Sequence, residues 1–227
     1  MLTRFSLLGF LFGFLFVGVT CTTPILEVSP CSAGFTKIPD AFIIYDGSSL
    51  ATQTTSVELC HGAHALVLNI TCADRNILTP FKKCNDPLFK ASAVEFFITP
   101  ETADGAWDQH HYLELETSPN GMLFLSHITN HNLDCTNFAG SYIDCNQSGI
   151  VVEAAADIPQ AVWKTHLEIP WTTMMPEGVT PRATPTVWRA NLYRIAFPKG
   201  HTEYSCWQPT KTLCFHQPLT FARLVMK

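Results

Sequence analysis

The sequence predicts an all-β fold, an antiparallel β-sandwich of jelly-roll type stapled by disulfides, and three observations carry that expectation. Apolar residues recur with a period of two along most of the chain. Prolines at 159, 170, 176, 181 and 185 interrupt any long helical pattern. Nine cysteines punctuate 227 residues.

The N-terminal segment stands apart from this pattern. Arg4 precedes an uncharged apolar stretch over residues 5–19, which gives way to Thr20, Cys21, Thr22, Thr23 and Pro24. That length suits the core of a secretory leader and falls short of the roughly 18 apolar residues a spanning helix needs. Residues 1–21 are therefore expected to be a signal peptide cleaved near Cys21, an uncleaved anchor being the alternative. Residues 22–227 are expected to form a single secreted domain with no membrane span, since no long linker or repeat divides them.

The strands follow in order. Leu66, Leu68 and Ile70 alternate with Val67, Asn69 and Thr71, a strand with one buried face. The same alternation sets Val94, Phe96 and Ile98 against Glu95 and Phe97, then Leu113 and Leu115 against Tyr112, Glu114 and Glu116. Further strands are expected over residues 122–128, 150–155, 163–169 and 188–197. Between two of them, Asn120-Gly121 supplies the positive φ values of a tight hairpin.

If Cys21 leaves with the leader, eight cysteines remain: Cys31, Cys60, Cys72, Cys84, Cys135, Cys145, Cys206 and Cys214. No CxxC pair suggests zinc, and an even number fits disulfides in an oxidising compartment. About 105 connectivities are open; short loops close most easily, so Cys135–Cys145 and Cys206–Cys214 are the expected local pairs. The sequons at Asn69 and Asn146 agree with a secretory route and N-glycosylation. A formal charge of −5, scattered without basic runs, gives no footprint for nucleic acid.

A set of ordered landmarks goes further. Asn85-Asp86-Pro87-Leu88-Phe89 precedes the strand at 94–98; Tyr112 to Gly121 follows; then come Trp163 to Trp171, Trp188 to Arg194, Tyr204 to Pro209 and Phe215 to Phe221. Over nearly the whole chain after the leader, this order and spacing resembles the carbohydrate-binding module family 9 and its relatives in the DOMON-like β-sandwich superfamily. The resemblance implies a non-catalytic protein that binds a glucan, xylan or cell-wall oligosaccharide, in a family associated with glycoside hydrolases and carbohydrate catabolism. It also implies two aromatic rings clamping a terminal sugar, at the positions of Phe89 and Phe215, with Glu95 accepting hydroxyl hydrogen bonds. Relatives place tryptophan at both clamp positions, and Glu114 stands where they carry an arginine. A structural calcium is a further implication, for which Asp74, Asp86 and Asp104 are available.

Apolar C–H faces of a sugar ring suit aromatic faces, while carboxylates orient its hydroxyls. Glu114 and Glu116 share the alternation of Glu95, so all three can occupy one sheet face; the simpler account is a solvated outer face. His216 follows Phe215, and Trp107 lies on a loop before His110 and His111, making both candidates for contact with sugar. Trp163 and Trp188 fall on apolar strand faces and read as core. His110 and His111 are adjacent on a strand and point to opposite faces, which disfavours a shared metal. No acid and nucleophile pair is identifiable. Two other classes stay open: a haem-binding redox domain using Met122, Met174 or Met175 with histidine, and a structural extracellular protein that has lost its ligand.

Overall fold

The computed structural model describes residues 24–102, 105–176, 185–198 and 201–227. The expected leader, residues 1–21, lies outside the described residues, as does Asp104. Fourteen strands make up the described chain: β1 (Ile25–Val28), β2 (Thr36–Lys37), β3 (Ile43–Ile44), β4 (Thr55–His61), β5 (Ala65–Ala73), β6 (Ala93–Pro100), β7 (His111–Thr117), β8 (Leu123–Asn130), β9 (Phe138–Tyr142), β10 (Val151–Asp157), β11 (Val162–Pro170), β12 (Val187–Ala196), β13 (Glu203–Cys206) and β14 (Ala222–Met226). Only short 3-10 turns accompany them. No helix among the described residues is long and apolar enough to cross a membrane.

Two sheets pack face to face. The larger runs β1-β14-β12-β6-β7-β8-β9, with β13 bridging β12 and β3; the smaller runs β10-β11-β5-β4-β2. Every pairing between strands is antiparallel except β1 with β14. Between the sheets, Leu66, Leu68 and Ile70 on β5 meet Val94, Phe96 and Ile98 on β6 and Leu113 and Leu115 on β7, with Trp163 and Trp188 sealed inside. Period-two burial produces this arrangement directly, and each such side chain contributes about 1.5–3 kcal/mol through lost water contact.

The hairpin at Ser118 to Gly121 forms, with a correction of detail. Gly121 alone is left-handed, at φ 77°, and its N–H donates to the Ser118 carbonyl over 2.9 Å. Asn120 acts through its side chain instead, accepting from the Ser118 hydroxyl at 2.7 Å and donating to the Phe81 carbonyl at 3.0 Å.

Disulfides differ most from expectation. Cys31 bonds Cys60, Cys84 bonds Cys145, and Cys135 bonds Cys214. The local pairs Cys135–Cys145 and Cys206–Cys214 do not form, and Cys72 and Cys206 remain buried thiols. Strand geometry explains this. Cys72 points into the inter-sheet core from β5 and Cys206 into a second apolar cluster from β13, where packing consumes them. Cheap loop closure yields to the sheet, which carries partners distant in sequence into reach. Asn146 is exposed and Asn69 half-buried on β5, where Asn69 faces His166 at 2.8 Å.

Candidate functional site: an aromatic cleft over three glutamates

The outer face of the larger sheet is not a solvated surface. Loops cover its central strands, so β6 and β12 are buried on both sides. Phe97, Tyr112, Ile128, Tyr193, Cys206 and Phe221 form a second apolar cluster there. Register places the three glutamates together on this face: Glu95 lies opposite Glu116, and Phe97, next on the same face of β6, lies opposite Glu114. The expectation of one shared face therefore holds, while the solvated alternative does not. Glu95, Glu114 and Glu116 are 3%, 6% and 0% exposed, and each offers a carboxylate oxygen within 4.8 Å of the others.

A cleft of about 480 Å³ opens over this group. Phe89, Phe124, Phe138, Tyr142, Tyr204 and Phe215 supply aromatic surface, while Glu95, Glu114, Ser126 and His216 supply polar groups. Among the described residues, neither lysine nor arginine lines it. Phe89 sits on a single turn, Leu88–Lys90, whose Leu88 is fully buried while the phenylalanine ring stays 43% exposed. Asn85, left-handed at φ 62°, ties that segment to β8 by accepting the Leu125 N–H at 2.8 Å and to the residue after β9 by donating to the Ile143 carbonyl at 2.9 Å. Phe215 stacks on Tyr193, with centroids 4.3 Å apart and planes 13° from parallel. The Cys135–Cys214 bond fastens its loop to the segment before β9.

His216 has a definable proton arrangement. Asn130 donates its amide to both the Tyr112 hydroxyl at 3.1 Å and the His216 carbonyl at 3.0 Å. Tyr112 in turn donates to His216 Nδ1 at 2.9 Å. The imidazole then carries its hydrogen on Nε2, which faces Glu114 at 3.9 Å. Burial pushes its pKa down to about 4, so the ring is neutral at ordinary pH. Phe138 stacks upon it with centroids 3.8 Å apart.

The glutamates shift the other way. Burial raises Glu114 to about 8. Burial first, and then the neighbouring Glu114 charge, holds Glu95 well above its ordinary value; burial followed by Glu95 and Glu114 does the same for Glu116. Among the described residues, the Phe89 backbone is the group directed at the Glu116 carboxyl, which makes no fully formed hydrogen bond. A group whose folded pKa is raised stabilises the fold below its unfolded value and loses that contribution as pH climbs through the folded value. His216, with a depressed pKa, gives the opposite slope between about pH 4 and 6.5. Stability is therefore expected to fall between about pH 6.5 and 8, by up to about 1.4 kcal/mol per pH unit for Glu114, with Glu95 and Glu116 acting in the same direction. Urea midpoints across that window measure it, and Glu114→Gln should flatten the slope.

The remaining expected site residues lie elsewhere. Trp107 does not line the cleft; half-buried, it stacks on Phe221 at 6.3 Å and lies beneath Arg189 at 5.3 Å. The other four tryptophans are buried. Of the residues available for calcium, Asp74 pairs with Arg194 at 2.5 Å, Asp86 accepts the Lys82 and Lys83 N–H groups, and Asp104 lies outside the described residues. Met174 and Met175 belong to the inter-sheet core, and Met122 packs with Leu88 and Phe124. Missing from the sequence reading were Ser126, Phe124, Phe138 and Tyr142. The alternation of β8 carried a signal for Phe124 and Ser126, which fall on the face opposite Leu123 and Leu125. Strand β9, with Ala, Gly and Ser between its rings, carried none.

No known protein-family model matches the sequence. A curated relative, an extracellular protein of Arthroderma benhamiae, is 25% identical over 180 residues, covering 75% of this chain and 78% of its own. Among solved structures, a Bacteroides uniformis protein named for a proposed role in carbohydrate binding superposes with a TM-score of 0.70 at 14% identity, over 91% of this chain and all of its own. A family 9 carbohydrate-binding module from Caldicellulosiruptor kristjanssonii, solved with cellotriose, gives a TM-score of 0.57 at 12% identity, over 89% of this chain and 93% of its own. Its complex with glucose gives 0.56. The β-sandwich of this chain is thus the fold of these carbohydrate-binding structures.

Proposed function

We propose that this chain is a secreted, non-catalytic protein that binds a saccharide in the cleft between Phe89 and Phe215. One observation carries the reading: two rings at the expected clamp positions line the same open cleft, above buried groups able to accept hydroxyl hydrogen bonds. A ring-sized apolar slot with a few convergent polar groups is the usual form of a sugar site. The extracellular relative, the disulfides and the leader-like segment support export. Binding without hydrolysis is favoured by geometry. Glu95, Glu114 and Glu116 emerge side by side from neighbouring strands and approach a ligand from one side, whereas glycoside hydrolysis needs carboxyls flanking the scissile bond.

Isothermal titration against a broad panel of oligosaccharides tests the proposal, with folding verified by circular dichroism. Phe89→Ala is expected to weaken binding about tenfold or more, a stacking loss of roughly 1–2 kcal/mol. Its exposure makes the change cheap for the fold. Absence of binding by the folded wild type across the panel would remove the proposal.

A further inference from the structure

We propose that the saccharide taken by this cleft carries a protonated amine, seated against Glu95 and Glu114 with Glu116 behind them; this rests on the carbohydrate reading above. Among the described residues, the charge of the site has no counter-charge. Three carboxyls share one spot, no cationic side chain among the described residues lines the cleft, and Lys90 lies over the Phe89 ring, 5.6 Å from its centroid. Buried carboxylates without a counter-charge are costly, and a ligand cation supplies what the chain omits.

Geometry favours an ammonium. Its N–H donors diverge tetrahedrally, so acceptors at about 2.8 Å from nitrogen stand about 4.6 Å apart, and one carboxylate oxygen from each glutamate lies within 4.8 Å of the others, a spacing that admits a single nitrogen among them. A second, independent feature points to a ligand at the same floor. Ser126, opposite Glu114 across β7 and β8, is fully buried, lines the cleft, and its hydroxyl has no hydrogen-bond partner among the described residues. It is placed to serve a hydroxyl beside the amine. The cleft, at about 480 Å³ with aromatic walls, is far larger than an ion requires and suits sugar rings, whose amine also gains from nearby ring faces. The chemical class is a hexosamine unit lacking its N-acetyl group.

Raised glutamate pKa values add a distinct signature. Near pH 6.5 the free site holds protons on carboxyls of the group Glu95, Glu114 and Glu116, the surrounding titratable groups being neutral His216, Tyr112 and Tyr193, with Tyr142 and Tyr204 on the cleft walls. An ammonium favours the ionised carboxylate, so its binding releases protons, whereas neutral sugars release none.

The test is titration calorimetry of the full secreted chain at pH 6.5 with glucosamine tetramer, N-acetylglucosamine tetramer and cellotetraose, repeated in buffers of different ionisation enthalpy. Expected are at least about tenfold tighter binding of the deacetylated tetramer, with proton release, and loss of that preference in Glu114→Gln. The exposed-residue control Glu58→Gln is expected to keep it, which separates the cleft from the overall negative charge. Equal or stronger binding of a neutral tetramer overturns this inference and leaves the carbohydrate reading intact. No binding of any of the three overturns this inference, while the wider panel decides the carbohydrate reading separately. Calcium alone binding wild type, but not Glu114→Gln, would make the group a metal site and overturn it as well.

Discussion

Arg194→Met is expected to destabilise the fold by about 3–5 kcal/mol, read as a lower urea midpoint with an unchanged slope. Arg194 and Asp74 are both fully buried, and their side chains meet at 2.5 Å. The guanidinium also donates to the Ala93 carbonyl at 3.1 Å and to the Ile195 carbonyl, and it lies over Trp163 with its carbon 5.1 Å from the ring centroid. Removing it strands the Asp74 carboxylate and two carbonyls in an apolar interior. Asp74 keeps only local help, such as the Asn76 N–H at 3.2 Å. Adding Asp74→Leu should recover a large part of the loss, because two matched apolar side chains carry no orphaned charge. A double variant as unstable as the sum of the singles would contradict this account. Ala93 opens β6 just before Glu95, so binding should weaken alongside stability.

Replacing Cys135 and Cys214 by serine carries the second large effect. The bond closes a separation of 79 residues, and chain-entropy arguments assign about 4 kcal/mol to a loop of that size. It also holds two walls of the cleft together, the segment leading to Phe138 and the segment carrying Phe215 and His216. Loss of both stability and affinity is expected, the latter persisting at temperatures where the variant is fully folded. Serines in place of Cys31 and Cys60, which join the start of the described chain to β4, provide the comparison. That variant should lose stability and keep its affinity. Retained affinity in the first variant would show that sheet packing alone positions Phe215.

Where alternation was strong, the sequence was readable. Leu66, Leu68 and Ile70, or Val94, Phe96 and Ile98, announce strands because one face must be dry. Strands β1, β3 and β13 were not legible, being short pieces whose existence depends on a neighbour's free edge. The same limit applies to the site. Period two placed Glu95, Glu114 and Glu116 on one face, yet could not say that the segment after β13, through Phe215 to Phe221, packs over that face. Exposure depends on tertiary covering, for which a strand pattern holds no information. Disulfide partners were illegible for a related reason: loop length ranks pairings in an unfolded chain, whereas sheet register decides them in the folded one.

The parallel pairing of β1 with β14 has a practical consequence. It brings Ile25 beside Arg223 and Val28 beside Met226, on the margin of the larger sheet opposite β9. The cleft lies toward the β9 margin. A biosensor tether or purification handle fused at Lys227 thus attaches at the β1–β14 margin, away from β8 and β9, whose side chains line the cleft, so immobilised protein should report the same affinities as protein free in solution.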